Sequence, residues 1–245
     1  NGKFRVPYQL VAQQSIDKHN AKADLLIHIG EMSDMTSLAG QPKQVWRVNE
    51  DGKLVDSYRM LRCVFEMPER MFFEHYAPLG KANSNSFYLS LMKECDRLWN
   101  KIPELPFSHL WVASQLYNKF PDYATLHLGI LSPLRSWGYF PLKAGMEVYC
   151  NQGGFGIDGN MSSMLGASLV HPNKLYYGVV GDLSFFYDMN VLGNRHMGRN
   201  VRILLINNSL GAEFHLFKQI NLTYVNNIDR YLSAGGHFGR KSPTV

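Results

Sequence analysis

Short apolar runs and amphipathic stretches alternate along the chain, and their order changes near residue 80. Asp24-Leu-Leu-Ile-His-Ile29 ends in Gly30, and Gln44-Val-Trp-Arg-Val48 runs into the turn sequence Asn49-Glu-Asp-Gly52, so both are predicted strands. Leu61-Arg-Cys-Val-Phe65 predicts a third. Pro68-Glu69 opens a helix through Tyr76, proline being tolerated in a first turn, and Pro78-Leu-Gly80 closes it. The polar tract Lys81-Ala-Asn-Ser-Asn-Ser86 has the composition of a linker and sets the expected boundary, one domain over residues 1–80 and a second over 81–245.

Past that tract, Leu89, Met92, Cys95 or Asp96, and Trp99 recur at helical spacing. Leu110, Ala113, Leu116 or Tyr117, and Phe120 do the same behind Ser108, a candidate N-cap. From there strands and helices alternate: strand 124–128, helix from Ser132, strand 146–150, helix 158–169, strand 175–180, helix 185–192, strand 201–206. Such alternation predicts an α/β fold with a parallel sheet flanked by helices on both faces. Tyr176-Tyr-Gly-Val-Val180 and Ile203-Leu-Leu-Ile206 are apolar throughout, as strands buried on both sides must be. Ligands in these sheets sit at the carboxyl ends of the strands, where Asn151-Gln152-Gly153, Gly181-Asp182 and Asn207-Asn208 fall.

Composition narrows the class. Of 245 residues, 45% are apolar and 18% charged, with 21 Gly and 11 Pro, which excludes disorder, collagen and coiled coil. Apolar runs fall well short of the roughly 18 residues of a bilayer span, so no membrane segment is expected. The 3 cysteines, Cys63, Cys95 and Cys150, lack zinc or disulfide spacing and fit a reducing cytoplasm. Matches to the glycosylation pattern at Asn160, Asn207 and Asn221 follow no signal sequence and are read as chance. The net charge of +5 comes from scattered basic residues, not a stripe, so no nucleic-acid partner is expected. The densest group, Arg195, His196, Arg199 and Arg202, is expected to face water. The start at Asn1, without a methionine, suggests a fragment, from which a targeting segment could have been removed.

Two motifs carry chemistry. Gly154-Phe-Gly156-Ile-Asp-Gly159 satisfies G-x-G-x-x-G between a strand and a helix, and Asp182 roughly supplies the acidic residue a dinucleotide site needs, so a dinucleotide-dependent oxidoreductase stays open. The second motif pairs Gly181-Asp182-Leu183-Ser184 with Asn207-Asn208-Ser209-Leu210-Gly211, Asn208 following Asp182 by 26 residues, one helix plus one strand. That spacing brings Asp182 and Asn208 together at one sheet edge. A carboxylate, an amide oxygen and a backbone carbonyl are hard ligands that suit magnesium holding a diphosphate. Backbone N–H groups of Leu183 and Ser184 are expected to face the phosphates.

These residues resemble the cofactor-binding region of thiamine diphosphate enzymes, with their Gly-Asp-x-Ser start and Asn-Asn finish. Asn151-Gln-Gly-Gly-Phe-Gly-Ile-Asp-Gly159 followed by Gly181-Asp-Leu-Ser-Phe-Phe-Tyr-Asp-Met-Asn190 is similar to the 2-succinyl-5-enolpyruvyl-6-hydroxy-3-cyclohexene-1-carboxylate synthases of menaquinone biosynthesis, over roughly Leu105 to Phe217. The resemblance implies magnesium held by the side chains of Asp182 and Asn208 and the Leu210 carbonyl. It implies thiamine diphosphate bound by Gly156, Ile157, Gly181, Asp182, Leu183, Ser184, Asn208, Leu210 and Gly211, with Ile157 as the bulky residue under the bent cofactor. The resemblance also implies that residues 1–80 are the C-terminal part of a Rossmann-like central domain, and the implied activity is decarboxylation of a 2-oxo acid followed by transfer to an acceptor, in a homodimer or homotetramer.

The sequence also departs from that family. The glutamate that protonates the aminopyrimidine belongs to an amino-terminal domain these residues lack, so this stretch alone is expected to be inactive and to expose an apolar face. The end at Arg240-Lys-Ser-Pro-Thr-Val245 reads as a truncated cofactor domain. Gln152 stands where a substrate-clamping arginine is expected, and the basic pair expected around Thr36-Ser37 is missing. Arg135 remains a candidate clamp, Glu213 a candidate acid or base beside Phe214, and His215 lies close by. An acetolactate synthase-like decarboxylase and a non-catalytic assembly module remain alternatives.

Overall fold

The computed structural model describes residues 4–15, 22–30, 42–80, 85–152, 156–216 and 228–236. The chain forms two compact units, residues 2–104 and 105–245. The first begins with α1 (Tyr8–Gln14), followed by β1 (Leu26–Ile29), β2 (Val45–Val48), β3 (Leu61–Phe65), α2 (Glu69–Tyr76) and α3 (Ser86–Trp99). The three strands are parallel in the order β1-β2-β3, with Leu26 facing Val45 and Val48 facing Phe65. Arg47 on the central strand is 1% exposed, tolerated because Asp51 accepts two of its N–H bonds at 2.5 and 3.0 Å and the Lys53 carbonyl a third at 3.0 Å. That guanidinium holds the Asp51 carboxyl far below the usual carboxylate range.

The polar tract at 81–86 does not mark the division. α3 packs against α1, and Ser15 donates to Glu94 at 2.7 Å, so α3 belongs with the first unit and the units part between Glu104 and Leu105. Residues 81–84 of the expected linker lie outside the described residues.

The second unit runs α4 (His109–Leu116), β4 (Thr125–Leu128), α5 (Ser132–Trp137), β5 (Glu147–Cys150), α6 (Asn160–Val170), β6 (Tyr176–Gly181), α7 (Asp182–Tyr187), β7 (Val201–Ile206), α8 (Glu213–Leu216) and α9 (Ile228–Tyr231). Its four strands are all parallel in the order β5-β4-β6-β7. Successive residues of β6 point to opposite faces, and each face is covered. Val179 packs in a core with Ala113 of α4, Trp137 of α5 and Leu126, whereas Val180 packs with Met161 and Leu165 of α6 and Phe185 of α7. The parallel sheet with helices on both faces is therefore as the apolar pattern predicted. On the second face α6 comes close: a Cβ on Gly178 would lie 2.9 Å from the Met164 Sδ and Cε atoms.

The expected helix 185–192 is instead α7 followed by a 3-10 turn over Met189–Gly193. Asp188 breaks it, because its carboxylate leaves the helix to accept the Ser162 N–H at 2.6 Å and the Ser162 hydroxyl, tying the end of α7 to the first turn of α6. Arg195, His196, Arg199 and Arg202 are all exposed, as expected.

Candidate functional site

A cavity of about 70 Å³ opens at the carboxyl ends of the strands of the second unit. The loop after β4 brings Ile130 to Pro133, the turn after β5 brings Ile157, the end of β6 brings Gly181 to Ser184, and the loop after β7 brings Asn208 and Leu210 to Glu213. β4 and β6 are neighbours although β5 lies between them in the chain, so their following loops diverge and leave a crevice, as doubly wound sheets do. Gly181 faces Ile206 across the β6–β7 pair, so Asp182 and the Asn207-Asn208 pair leave adjacent strands at one level.

Asp182 is 2% exposed. Its Oδ1 accepts the Leu183 N–H at 2.8 Å, while its Oδ2 is buried without a hydrogen-bond partner among the described residues. The Leu183 N–H expected to face phosphates is thus occupied by the carboxylate beside it. On the opposite loop, Asn207 Oδ1 accepts the Ser209 N–H at 3.0 Å and shapes the turn, with Ser209 at a φ of 60°. Leu131, after β4, holds a φ of 70° as the residue before α5. Both are left-handed non-glycine positions, the kind of strain that surrounding structure must sustain. Gly211 donates its N–H to the Ser233 carbonyl at 2.6 Å, and a Cβ there would lie 3.0 Å from Leu183 Cδ1 and 3.3 Å from that carbonyl. A side chain there would have to push the Leu183 methyl group and the Ser233 carbonyl aside by a few tenths of an ångström.

The Ser184 hydroxyl donates to the Ile157 carbonyl at 2.5 Å and accepts from Asn160 Nδ2 at 2.8 Å. Its proton therefore serves the neighbouring loop and not a phosphate. Gly156 sits before Ile157, where a Cβ would collide with Asp158 Oδ1 at 2.2 Å, and it does not line the cavity. Gly154 and the Thr36-Ser37 position lie outside the described residues.

The two candidate catalytic side chains meet each other. Arg135 Nη1 lies 2.5 Å from Glu213 Oε2, with the side chains 20% and 15% exposed, and Glu213 Oε1 is buried without a partner among the described residues. A carboxylate engaged by a guanidinium is a poor general base, so the pair serves better as an anchor between α5 and α8. Phe214 and His215 do not line the cavity; His215 pairs with Asp229 at 2.6 Å. Gln152 also stays off the cavity wall.

The sequence reading missed His109, at the start of α4. It lines the cavity, its Nδ1 is buried without a partner among the described residues, and burial lowers its pKa against the opposing pull of the Asp182 charge. Its only signal was its place right after the N-cap Ser108. Among the described residues no group of three or more His, Cys, Asp and Glu side chains gathers to hold a metal. A cation at Asp182 would rest on one carboxylate and neutral oxygens. No helix among the described residues is long and apolar enough to cross a membrane.

No family model matches the chain. Curated relatives do. The 2-succinyl-5-enolpyruvyl-6-hydroxy-3-cyclohexene-1-carboxylate synthase of Phocaeicola vulgatus is 37% identical over 174 residues, 71% of this chain and 31% of the relative. Those of Bacteroides fragilis and Bacteroides thetaiotaomicron are 36% and 34% identical, each over 74% of this chain and 32% of the relative. The chain thus spans about a third of the length of the curated relatives it matches. Among solved structures, a thiamine diphosphate-dependent 4-hydroxybenzoylformate decarboxylase of Rhodococcus jostii shares the fold, with a TM-score of 0.59 at 18% identity over 87% of this chain and 40% of that one. The chain is thus similar over about three quarters of its length to the 2-succinyl-5-enolpyruvyl-6-hydroxy-3-cyclohexene-1-carboxylate synthases, and shares its fold with a thiamine diphosphate-dependent decarboxylase.

Proposed function

We propose that the second unit, residues 105–245, contains the thiamine diphosphate- and magnesium-binding part of a 2-oxo acid decarboxylase and carboligase, and that residues 2–104 derive from the domain preceding it. The observation that carries this reading is the buried Asp182 Oδ2, without a donor among the described residues, at the rim of a cavity that Asn208 and Leu210 also line. A bare carboxylate oxygen out of water is costly, and a divalent cation would relieve it. Asp182, the Asn208 amide oxygen and the Leu210 carbonyl are the three protein ligands proposed, leaving the remaining positions to diphosphate oxygens and water. When bound, the cofactor supplies the electron sink for loss of carbon dioxide from a 2-oxo acid.

The residues of this chain then bind and orient. Ile157 lies on the wall of the cavity where an apolar ring would rest. Gly211 lets the metal loop pack on Leu183, and the Arg135–Glu213 pair ties that loop to α5. Gln152 in place of an expected clamp residue leaves the acceptor and the 2-oxo acid open. The whole protein would act as a homo-oligomer in the cytoplasm, with the aminopyrimidine glutamate supplied from outside these residues.

Calorimetric titration of the chain tests the reading. Thiamine diphosphate should bind with magnesium and lose that binding in chelator, while a nicotinamide dinucleotide should not bind. Dinucleotide binding independent of magnesium would overturn it in favour of an oxidoreductase.

A further inference from the structure

We propose that Asn160 is a positioning residue of the candidate site: it fixes the Ile157 carbonyl, and with it the wall on which the body of the cofactor would rest. The inference rests on the thiamine diphosphate reading above and adds a residue outside the cavity wall to it.

Gly159, at a φ of +70°, turns the chain into α6 and sets Asn160 at its first position, 6% exposed. The Asn160 amide donates from Nδ2 to the Ile157 carbonyl at 2.8 Å and to the Ser184 hydroxyl at 2.8 Å. Ser184, itself 6% exposed, passes its own proton to the same Ile157 carbonyl at 2.5 Å. The orientation is not arbitrary. A carbonyl can only accept, so the NH2 end of the amide must face Ile157, and Ser184, its one proton spent, must accept from Asn160.

This triangle joins the turn after β5, the first turn of α6 and the first turn of α7. It leaves Asn160 Oδ1 buried without a partner among the described residues. An apolar residue would avoid that stranded oxygen but would offer no donors, so what this position supplies is the pair of N–H bonds. One end of those bonds is the backbone of Ile157, which lines the cavity. The proposed metal ligands Asn208 and Leu210 lie on another loop, outside the triangle. Loss of Asn160 should therefore loosen the grip on the ring portion of the cofactor and spare the grip on its anionic tail.

The test compares thiamine diphosphate with inorganic pyrophosphate, each with magnesium, by calorimetry on the full 245-residue chain. Asn160→Ala should weaken thiamine diphosphate by about tenfold or more, with pyrophosphate changing by less than about threefold. Equal loss for both ligands, or loss for neither, overturns the proposal while leaving the cofactor reading intact. A wild-type chain that binds pyrophosphate but not thiamine diphosphate overturns the reading and the proposal together. Should Asn160→Ala not fold, Asn160→Ser, which keeps a single donor, carries the same comparison. Urea unfolding of Asn160→Ala, Ser184→Ala and the double variant supplies a readout free of ligand: non-additive losses support the triangle, and strict additivity overturns it.

Discussion

Asp182 and Asn160 each bury a polar oxygen that has no partner among the described residues. Such a group costs about 1–3 kcal/mol, and more when charged, so folding sustains both for a purpose other than stability. Neither was fully legible in the sequence. The motif placed Asp182 at a strand end but not its bare oxygen, and Asn160 stood out only as a chance match to the glycosylation pattern. His127 shows the same economy without a ligand. It sits in β4 among the rings of Tyr149 and Tyr176, and burial pushes its pKa down to about 4. The folded chain therefore takes up this proton well below the pH at which the unfolded chain does, near 6.5. The stability His127 allows is complete above about pH 6.5, falls as pH drops toward 4, and changes no further below that. NMR titration of the ring should give a midpoint near 4, and His127→Gln should flatten the fall in unfolding free energy over that interval. A midpoint at the unperturbed value would contradict the burial argument.

The central strands β4 and β6 could be located from sequence because strands covered on both faces are largely apolar, and all four strands of the sheet end beside glycine or asparagine close to the residue expected. Helix ends were harder, since tertiary partners decide them. Asp188 stops α7 by bonding to Ser162, a residue 26 positions away that no local pattern reveals. α1, with seven residues and no side-chain cap, escaped notice because its register depends on packing against α3. α4 is the converse case. Ser108 accepts the Trp111 N–H at 3.2 Å, the N-cap that its position suggested. Ser108→Ala should lower stability by about 1 kcal/mol, read as a shift in urea midpoint at constant slope; an unchanged midpoint would mean that water replaces the cap. The site was legible to the same degree. Matching loop positions brought Asp182, Asn208 and Leu210 to one cavity, while the mutual engagement of Arg135 and Glu213 could be seen only in three dimensions.

The molecule divides where its packing divides, between Glu104 and Leu105, and not at the polar tract that composition favoured. Residues 101–104 are all exposed, so trypsin should cut after Lys101 and release a folded fragment that starts beyond α3. A stable product that retains α3 with the second unit would restore the boundary near residue 80. The second unit holds every residue of the proposed metal and diphosphate site, within a chain that spans about a third of the length of the curated relatives it matches. The central claim is that two loops, after β6 and β7, grip one divalent ion together. A double-mutant cycle on magnesium-supported thiamine diphosphate affinity measures it most directly. Asp182→Ala and Asn208→Ala should each remove most of the magnesium-dependent binding, and the double variant should lose little more, because either loss dismantles the shared site. Independent, additive losses, or binding that survives in Asp182→Ala, would contradict the account.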